Sequence, residues 1–260
     1  MKTLEVADHI TEWIKDYADK SHCKGFVIGV SGGIDSATSS TLAARTGLPL
    51  ICVEMPIHQA ANQVSRAMNH IAWLKENFLN VSSVEVELTD IFDAFVSALP
   101  PVTGSKDLHD HSLVNTRARF RMTTLYYFAA LHGYLVVGTG NKVEDFGIGF
   151  YTKYGDGGVD LSPIADLMKT EVYAIAKTLG VNQDILDAPP TDGLWGDDRT
   201  DEDQIGASYP ELEWAMEYSG EESVLDERQK KVLSIYRRLN RANQHKMEPI
   251  PVCAIPENLR

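Results

Sequence analysis

The sequence predicts an α/β fold, a doubly wound five-stranded parallel sheet flanked by helices, with extra helices at the C-terminal end. Short apolar runs alternate along the 260 residues with stretches in which apolar residues recur every three or four positions. This alternation of strands and helices is typical of a parallel sheet that is covered on both faces. The chain has no internal repeat, low-complexity tract or linker. We therefore expect one domain that spans residues 1–260 and buries a single core.

Three of the five strands are predicted in the first part of the chain. Residues 3–20 have helical apolar spacing, and the following run 25–30 is apolar on both faces, as in a buried parallel strand. The next elements are a helix over 36–46, a strand over 50–54, a helix marked by Val64, Met68, Ile71, Leu74 and Phe78, a strand over 83–87 and a helix over 89–98.

The second part of the chain supplies the other two strands. After a loop over 100–112, a long helix over 113–132 leads into a strand over 134–138, and a short fifth strand lies near 159–161. A helix over 170–179 ends at Gly180, because glycine readily adopts the left-handed conformation that terminates helices. Residues 188–206 contain proline, glycine and six acidic residues and predict a loop, before two last helices around 208–218 and 222–243.

Composition excludes several classes of function. The 37 acidic and 24 basic residues give a net charge of −13, which disfavours non-specific binding to nucleic acid or to an anionic membrane.

Cys23, Cys52 and Cys253 have no Cys-x-x-Cys spacing, so neither a disulfide scaffold nor a zinc finger is expected, and Cys52 is predicted to pack in the core. We interpret His109-Asp110-His111 as part of a polar loop rather than a metal site. The absence of an apolar leader predicts a cytoplasmic protein.

The most informative motif is Ser31-Gly32-Gly33-Ile34-Asp35-Ser36, which joins the first strand to a helix. Backbone N–H groups in such a turn, together with the positive end of the helix, form a cradle for phosphate. The motif is neither a Walker A loop nor G-x-G-x-x-G. An acidic residue beside phosphates requires an intervening cation, so Asp35 implies Mg²⁺. The alternative is a plain glycine turn in which Asp35 and Ser36 cap the helix.

At these residues the chain resembles the N-type ATP pyrophosphatases, whose loop reads S-G-G-x-D-S. Later segments are similar to NAD synthetases within that superfamily. The matching strings are Gly138-Thr139 with Glu144 in G-T-x-x-x-x-E, Thr152-Lys153-Tyr154-Gly155-Asp156-Gly157-Gly158 with Asp160, and Asn115 with Ala118-Arg119 in N-x-x-A-R; Lys169, Pro190-Thr191-Asp192, Asp201-Glu202-Asp203 and His245-Lys246 come after them in family order. Together these motifs are specific and cover roughly residues 25–246.

The resemblance implies a role for each matching residue. Those implied to bind ATP are Gly29, Val30, Ser31, Gly32, Gly33, Ile34, Asp35, Ser36, Thr139, Lys169 and Thr191. Those implied to bind deamido-NAD are Arg119, Lys153, Asp160, His245 and Lys246. Asp35 and Glu144 are implied to hold Mg²⁺, and Asp35 and Lys169 to serve in catalysis together with Asp156, our candidate for holding ammonium. On physical grounds, too, Lys169 at the start of a helix opposes the helix dipole, which favours a phosphate contact over a structural role.

The chain departs from the family pattern at one place. The stretch from Glu144 to Lys153 is one residue longer, so Asp145 is an alternative metal ligand, although Glu144 keeps the family spacing. On the predicted helix 113–132, Arg117 and Arg121 share a face that we expect to be solvated, whereas Arg119 lies about 200° round from Arg117.

The resemblance implies an amide-forming ligase. ATP would adenylate the nicotinate carboxylate of deamido-NAD, and ammonia would displace AMP to give NAD. Ammonia rather than glutamine is expected, because only about 24 residues precede the first strand, fewer than the ~50 residues of a small amidase domain. The resemblance also suggests a homodimer, with helix 113–132 as a candidate interface.

Two other functions stay open. One is adenylation of a different acceptor, as in tRNA thiolation, which the net charge and the isolated cysteines disfavour. The other is a nucleotide-sensing module without catalysis, which would not need Glu144.

Overall fold

The computed structural model describes residues 1–59, 61–191 and 200–260, and its centre is a parallel sheet with helices on both faces. The strands are β1 (Phe26–Gly29), β2 (Leu50–Glu54), β3 (Val81–Glu85) and β4 (Leu135–Val136). They lie in the order β3-β2-β1-β4, and every pair is parallel. The predicted fold class is confirmed.

The order of the strands determines where a ligand can bind. The chain moves outward from β1 to β2 and β3 and then returns to the other side of β1 with β4. After β1 the chain runs toward one edge of the sheet, and after β4 it runs toward the other edge. The two diverging connections leave a crevice beyond the carboxyl ends of β1 and β4, where open α/β sheets bind their ligands. The segments directly after β1 and β4 are therefore the ones that meet in the crevice.

The predicted fifth strand is wrong as a strand, since residues 159–161 form a single bridge, between Val137 and Leu161. The carboxylate of Asp160 accepts a hydrogen bond from the backbone N–H of Val136, at 2.8 Å. Pro163 follows two residues after Leu161 and has no N–H with which to extend the ladder. The pairing therefore stops after one bridge, and the sheet has four strands in the ranges that the structure describes.

Ten α-helices occur in the described ranges. They are α1 (Thr3–Lys20), α2 (Ile34–Arg45), α3 (Ala61–Asn77), α4 (Thr89–Ala98), α5 (Lys106–His132), α6 (Lys169–Leu179), α7 (Gln183–Leu186), α8 (Asp201–Ile205), α9 (Tyr209–Glu217) and α10 (Glu227–Met247). Single short turns at Glu222–Val224 and Glu257–Leu259 are 3₁₀-helices, and Val143–Ile148 is a π-helix. As predicted, Gly180 ends α6 in the left-handed conformation.

The described residues form a core with three parts. One face of the sheet packs on α1, α2, α3 and α6, and the other packs on α4 and α5. A separate cluster joins α9 and α10 to the π-helix. Alternate residues of β1 enter different parts: Phe26 and Ile28 face the first helix layer, and Val27 faces the second. Cys52 is fully buried in the first, as predicted.

Several boundaries differ from the sequence expectation. Strand β3 lies two residues earlier than 83–87, and α5 begins at Lys106 within the predicted loop 100–112. Lys106 pairs with Asp110 one turn along, so the polar segment that carries His109 and His111 is helical and not a loop. The short α8 lies within the predicted loop 188–206, because Thr200 and Asp203 form a capping box. Residues 192–199 of that loop, including Asp192, lie outside the described residues.

Of the helices in the ranges that the structure describes, none is long and apolar enough to cross a membrane.

A buried histidine lies where α3 packs on α2. His70 is fully buried, its Nε2 lies 2.9 Å from the hydroxyl of Ser40, and its ring stacks on Trp73. Burial lowers the pKa of His70 to about 4, because the protonated ring would be taken out of water. The folded protein therefore keeps this ring neutral where an unfolded chain would protonate it.

The stability of the fold is expected to fall as the pH falls from about 6.5 to about 4. In this window the unfolded state binds a proton at residue 70 and the folded state does not. The predicted loss from this residue is roughly 3 kcal/mol of unfolding free energy. Urea unfolding of wild type and His70→Gln at pH 7 and pH 4.5 measures it, and the variant should lose less stability. His9→Gln, on the exposed surface of α1, is the control; the same pH dependence in wild type and His70→Gln would contradict the assignment.

Candidate active site

The loop after β1 is shaped by its glycine and serine residues. Gly32 has a φ of +79°, and a Cβ there would come within 2.8 Å of the Gln63 carbonyl oxygen and 2.9 Å of the Ala67 nitrogen. The Ser36 hydroxyl accepts from the backbone N–H of Ser31 and donates to the Gly33 carbonyl. We call Ser31–Ser36 the phosphate loop. Its conformation therefore depends on glycine at position 32 and on a hydroxyl at position 36.

The phosphate loop ends in the first turn of α2. N–H groups in the first turn of a helix have no acceptor within the helix, and the helix dipole makes this end positive. The capping position is Gly33, and no side chain caps the helix there. Asp35 does not cap α2 and points elsewhere, so the geometry does not support the helix-cap alternative. An anion is the partner that such an end accepts.

A buried lysine joins two carboxylates beside the phosphate loop. The Nζ of Lys169 lies 2.5 Å from Oδ2 of Asp35 and 2.9 Å from Oε1 of Glu144. Asn141 donates to the second oxygen of Asp35, at 3.1 Å, and its own carbonyl oxygen accepts from the backbone N–H of Glu144. Tyr209 donates its hydroxyl proton to Glu144 at 2.6 Å, and the Lys169 ammonium lies over its ring. The carboxylates are thus fixed in place by neighbours from three other segments.

The cluster carries more acid than its lysine neutralises. Burial alone would lower the pKa of Lys169, but Asp35 and Glu144 outweigh it and the pKa is raised. Burial raises the pKa of Asp35, with Glu144 adding to the effect and Lys169 opposing it. The pKa of Asp145 rises to about 8 through burial and the neighbouring carboxylates of Glu144, Asp156 and Asp35. A further positive charge would stabilise this arrangement.

The π-helix Val143–Ile148 accounts for the extra residue after Glu144. Each i→i+5 hydrogen bond of a π-helix spans one more residue than the bond of an α-helix, so such a turn can take up one extra residue. Glu144 turns toward Lys169, whereas the carboxylate of Asp145 packs beside Gly140. The amides of Asn240 and Asn243 on α10 donate to the carbonyls of Gly147 and Ile148 at the end of the π-helix. This orientation favours Glu144 over Asp145 as the partner of Asp35.

In the part of the chain that the structure describes, one cavity borders the cluster and two neighbouring cavities share lining residues with it. The loop cleft lies against the phosphate loop and is also lined by Thr139, Lys169 and Thr191. The apolar cavity lies beyond the carboxyl ends of β1 and β2 and has a volume of about 140 Å³. The tail cavity lies between residues 153–157 and the C-terminal residues 246–250. Asp156 lines all three, so it stands where they join.

Four of the five residues expected to bind deamido-NAD lie together. The Arg119 guanidinium donates to the Lys153 carbonyl at 3.3 Å, and the Lys153 ammonium donates to the His245 carbonyl at 2.6 Å. The Lys246 ammonium donates to the carbonyls of Gly149 and Tyr151. The contacts of Asp160 are different: its oxygens accept from the Tyr126 hydroxyl and the Val136 N–H. The structure thus groups Arg119, Lys153, His245 and Lys246, and uses Asp160 to join β4 to the bridge at Leu161.

Sequence reasoning placed Arg117 and Arg121 wrongly. The Arg117 guanidinium lies over the ring of Phe92, at 5.0 Å from its centre, and Arg121 donates to the Met55 carbonyl and to the Gln59 side chain. Arg121 lines both the loop cleft and the apolar cavity. Their face of α5 therefore covers the carboxyl edge of the sheet rather than solvent. The apolar neighbours Met122 and Leu125, which also line the apolar cavity, were the signal that could have indicated this.

Other residues of the site had no sequence signal of their own. Arg66 on α3 lines the loop cleft and donates to the Gly32 carbonyl at 3.3 Å. Tyr209, at the start of α9, connects Glu144 to Asp201 through its hydroxyl. Both residues come from segments that are distant in the sequence, and the fold brings them to the site.

Comparison with known proteins agrees with this geometry. The family model for NAD synthase matches residues 6–250. The NH(3)-dependent NAD(+) synthetase of Carboxydothermus hydrogenoformans is 34% identical over 93% of this chain and 94% of its own length, and that of Mesoplasma florum is 38% identical over 82% and 84%.

Two solved structures are also similar. The NMN synthetase of Francisella tularensis is 29% identical, with a TM-score of 0.86 over 99% of each chain. The NH3-dependent NAD synthetase of Campylobacter jejuni is 29% identical, with a TM-score of 0.75 over 98% of this chain and 100% of its own. The model match spans well over half of the sequence, and the chain therefore belongs to the NAD synthase family.

Proposed function

We propose that this protein uses ATP to amidate deamido-NAD with ammonia, giving NAD, AMP and pyrophosphate. The observation that carries the proposal is the contact of Lys169 with Asp35 and Glu144 at the mouth of the phosphate loop. An anion cradle beside a cation-demanding carboxylate pair suits a polyphosphate that is bound with a metal ion. The relatives named as NH(3)-dependent NAD(+) synthetases support ammonia as the nitrogen donor.

The reaction has two steps. A carboxylate oxygen of nicotinate attacks the α-phosphorus of ATP, the bond to the β-phosphate oxygen breaks, and pyrophosphate leaves. Ammonia then attacks the acyl carbon, AMP leaves with the former carboxylate oxygen, and the nitrogen loses a proton to become the amide. Both steps need charge stabilisation and alignment of reactants, and neither needs a protein nucleophile.

The carboxylate pair fits Mg²⁺. Asp35 and Glu144 direct oxygens at one shared cation, which in this structure is the ammonium of Lys169, and Mg²⁺ prefers oxygen ligands. These two residues would hold the ion, which would neutralise charge on the ATP phosphates. The N–H groups at the start of α2 bind phosphate oxygens directly, and Lys169 supplies a cation beside them.

Asp156 is the proposed site for ammonium. Its Oδ1 accepts from the backbone N–H of Thr152 at 3.0 Å, and its carboxyl opens into the junction of the three cavities. Burial of the carboxyl raises the pKa of Asp156 to about 6, and hydrogen bonds from the backbone N–H groups of Thr152 and Asp156 oppose the effect. The carboxylate is therefore ionised at neutral pH and able to hold a cation. The group Arg119, Lys153, His245 and Lys246 offers positive charge to the phosphates of the dinucleotide. The use of ATP supports a cytoplasmic location as part of the same proposal.

A second acceptor, nicotinate mononucleotide, is a candidate on one observation. The similar structure with the TM-score of 0.86 is an NMN synthetase, and NMN is the amide that this mononucleotide would give. The chemistry and the residues proposed for ATP and ammonia are the same for both acceptors. Deamido-NAD is nicotinate mononucleotide joined to AMP. The two candidates therefore differ in whether the protein must also bind the AMP half of the acceptor.

Production of AMP with a panel of acceptors tests the function. Protein with Mg-ATP and ammonium should release AMP and pyrophosphate in equal amounts when deamido-NAD is added, because the acceptor carboxylate is the nucleophile. Nicotinate mononucleotide and free nicotinate are tested beside it, and a no-acceptor sample is the control. Higher kcat/KM with the mononucleotide would select the second candidate, and equal AMP without any acceptor would contradict both.

Loss of one carboxylate should weaken metal binding. Asp35→Asn keeps the shape of the side chain but removes a charged oxygen ligand, so we expect weaker Mg²⁺ binding and a loss of turnover on the order of a hundredfold. Titration calorimetry of Mg²⁺ into protein with a non-hydrolysable ATP analogue measures the first effect, and AMP release the second. Asp166→Asn is the matched control, since Asp166 is an exposed partner of Lys142. Unchanged Mg²⁺ affinity in Asp35→Asn would rule out the metal assignment.

We further propose a homodimer formed through α4 and α5. Ile91, Phe95 and Leu99 form an exposed apolar stripe along α4, and Phe95 packs edge-on against Phe120 of α5. Tyr127 lies two turns beyond Phe120 on α5 and is 62% exposed. An apolar surface of this kind marks a protein interface.

Charge placed on this surface should prevent dimerisation. Tyr127→Glu is expected to give a monomer at protein concentrations where the wild type is a dimer, because a buried unpaired carboxylate is costly. Sedimentation equilibrium measures the mass. Leu79→Glu, at a fully exposed leucine outside this surface, should leave the mass unchanged. A dimer that persists in Tyr127→Glu would place the interface elsewhere.

A further inference from the structure

Glu54, the last residue of β2, is a buried carboxylate with an unsatisfied oxygen. The residue is 4% exposed, and within the described residues its Oε2 has no hydrogen-bond partner. Its register partner on β3 is another acid, Glu85. Burial raises the pKa of Glu54 to about 7, with Glu85 and Glu87 adding to the effect and Arg121 opposing it. A buried acid without a donor destabilises the fold, so its presence suggests a partner that arrives from outside.

Glu54, which carries this unsatisfied Oε2, lines the apolar cavity. The other walls are mainly aliphatic and sulfur-containing side chains, from Met55, Val64, Met122, Leu125, Val137 and Val159. Walls of this kind suit the two faces of a flat ring. Among the polar residues of the lining, Glu54 offers its edge a buried acceptor that has no hydrogen-bond partner in the described residues. The occupant expected from this chemistry is a planar base with an N–H donor on its rim.

The apolar cavity is continuous with the site for phosphate. Ser31, Ser36 and Thr139 line both this cavity and the loop cleft. A nucleotide with its phosphates on the phosphate loop therefore extends its base toward Glu54. The cavity and the loop lie on the same carboxyl edge of the sheet, at the ends of β1 and β2.

We infer that Glu54 determines the base specificity of the nucleotide site, accepting a hydrogen bond from the exocyclic 6-amino group of adenine. Above pH 7, where Glu54 is ionised, a 6-oxo purine would place a carbonyl oxygen against the carboxylate, which is repulsive, and a purine without a 6-substituent would leave Oε2 unpaired. This inference rests on the proposed use of ATP and adds the residue that distinguishes ATP from other purine triphosphates.

The test compares ATP with inosine triphosphate in binding and in turnover. Wild type should prefer ATP, and Glu54→Gln should reduce the ATP-to-inosine-triphosphate ratio of affinities roughly tenfold or more, because the amide can donate to a 6-oxo group. The same change is expected in the ratio of kcat/KM. Glu76→Gln is the matched control, since Glu76 is an exposed acid near the end of α3 and does not line the apolar cavity, and it should keep the wild-type ratio.

A second measurement uses the wild-type protein alone, so it tests the inference even if Glu54→Gln does not fold. Wild type should bind purine riboside triphosphate, which lacks the 6-amino group, roughly tenfold more weakly than ATP. Equal affinity for these two nucleotides, or an unchanged ratio in a folded Glu54→Gln, would overturn the inference while leaving the proposed ligase reaction intact. Selective ATP binding without acceptor-dependent AMP formation would refute the ligase and leave the role of Glu54 standing. If neither purine nucleotide binds, both proposals fail.

Discussion

The contact of the buried Lys169 ammonium with Asp35 and Glu144 holds the site together. It joins the first residue of α6 to the first turn of α2 and to the π-helix, three elements far apart in the chain. Removing one partner of a buried ion pair commonly costs about 3–5 kcal/mol, because the other charge stays buried without compensation. The fold tolerates so concentrated a charge cluster because each carboxylate also has a neutral donor, Asn141 or Tyr209. Binding chemistry and architecture therefore depend on the same few atoms.

Local signals were sufficient to predict the parts of the site that lie beside single strands. The apolar run of β1, the glycine turn and the helix after it are consecutive in sequence, so their order alone predicts an anion site at the sheet edge. Gly180 and the buried Cys52 were predictable for the same reason, since each depends on the residues around it. The short segment 159–161 was harder, because a side-chain bond from Asp160 took the place of a ladder that the apolar pattern suggested.

The sequence did not show which distant segments contact each other, even where apolar neighbours such as Met122 and Leu125 indicate that a helix face is covered. Arg121 has the pattern of a solvated residue on a helix, and only the packing of α5 over the end of β2 brings it to Met55. Tyr209 contacts Glu144 because α9 packs on the π-helix, and its hydroxyl also contacts Asp201 at the start of α8. The π-helix itself was visible in the sequence only as one extra residue after Glu144, a length difference that does not specify which helix type absorbs it.

The acidic composition and the binding of polyanions are reconciled by where the charges lie. The chain carries a net charge of −13, yet the cations Arg66, Arg121 and Lys169 all line the loop cleft. At long range the negative field disfavours polymeric anions such as nucleic acid, whereas within the cleft short contacts to these cations, and to the divalent ion that we propose, would outweigh that field. Under the proposed function, the acids near Lys169 would make the cleft selective as well, since they would repel a bare polyphosphate and accept one that carries its metal. A negative net charge is thus compatible with the binding of a nucleotide, and it would limit that binding to ligands that bring a cation with them.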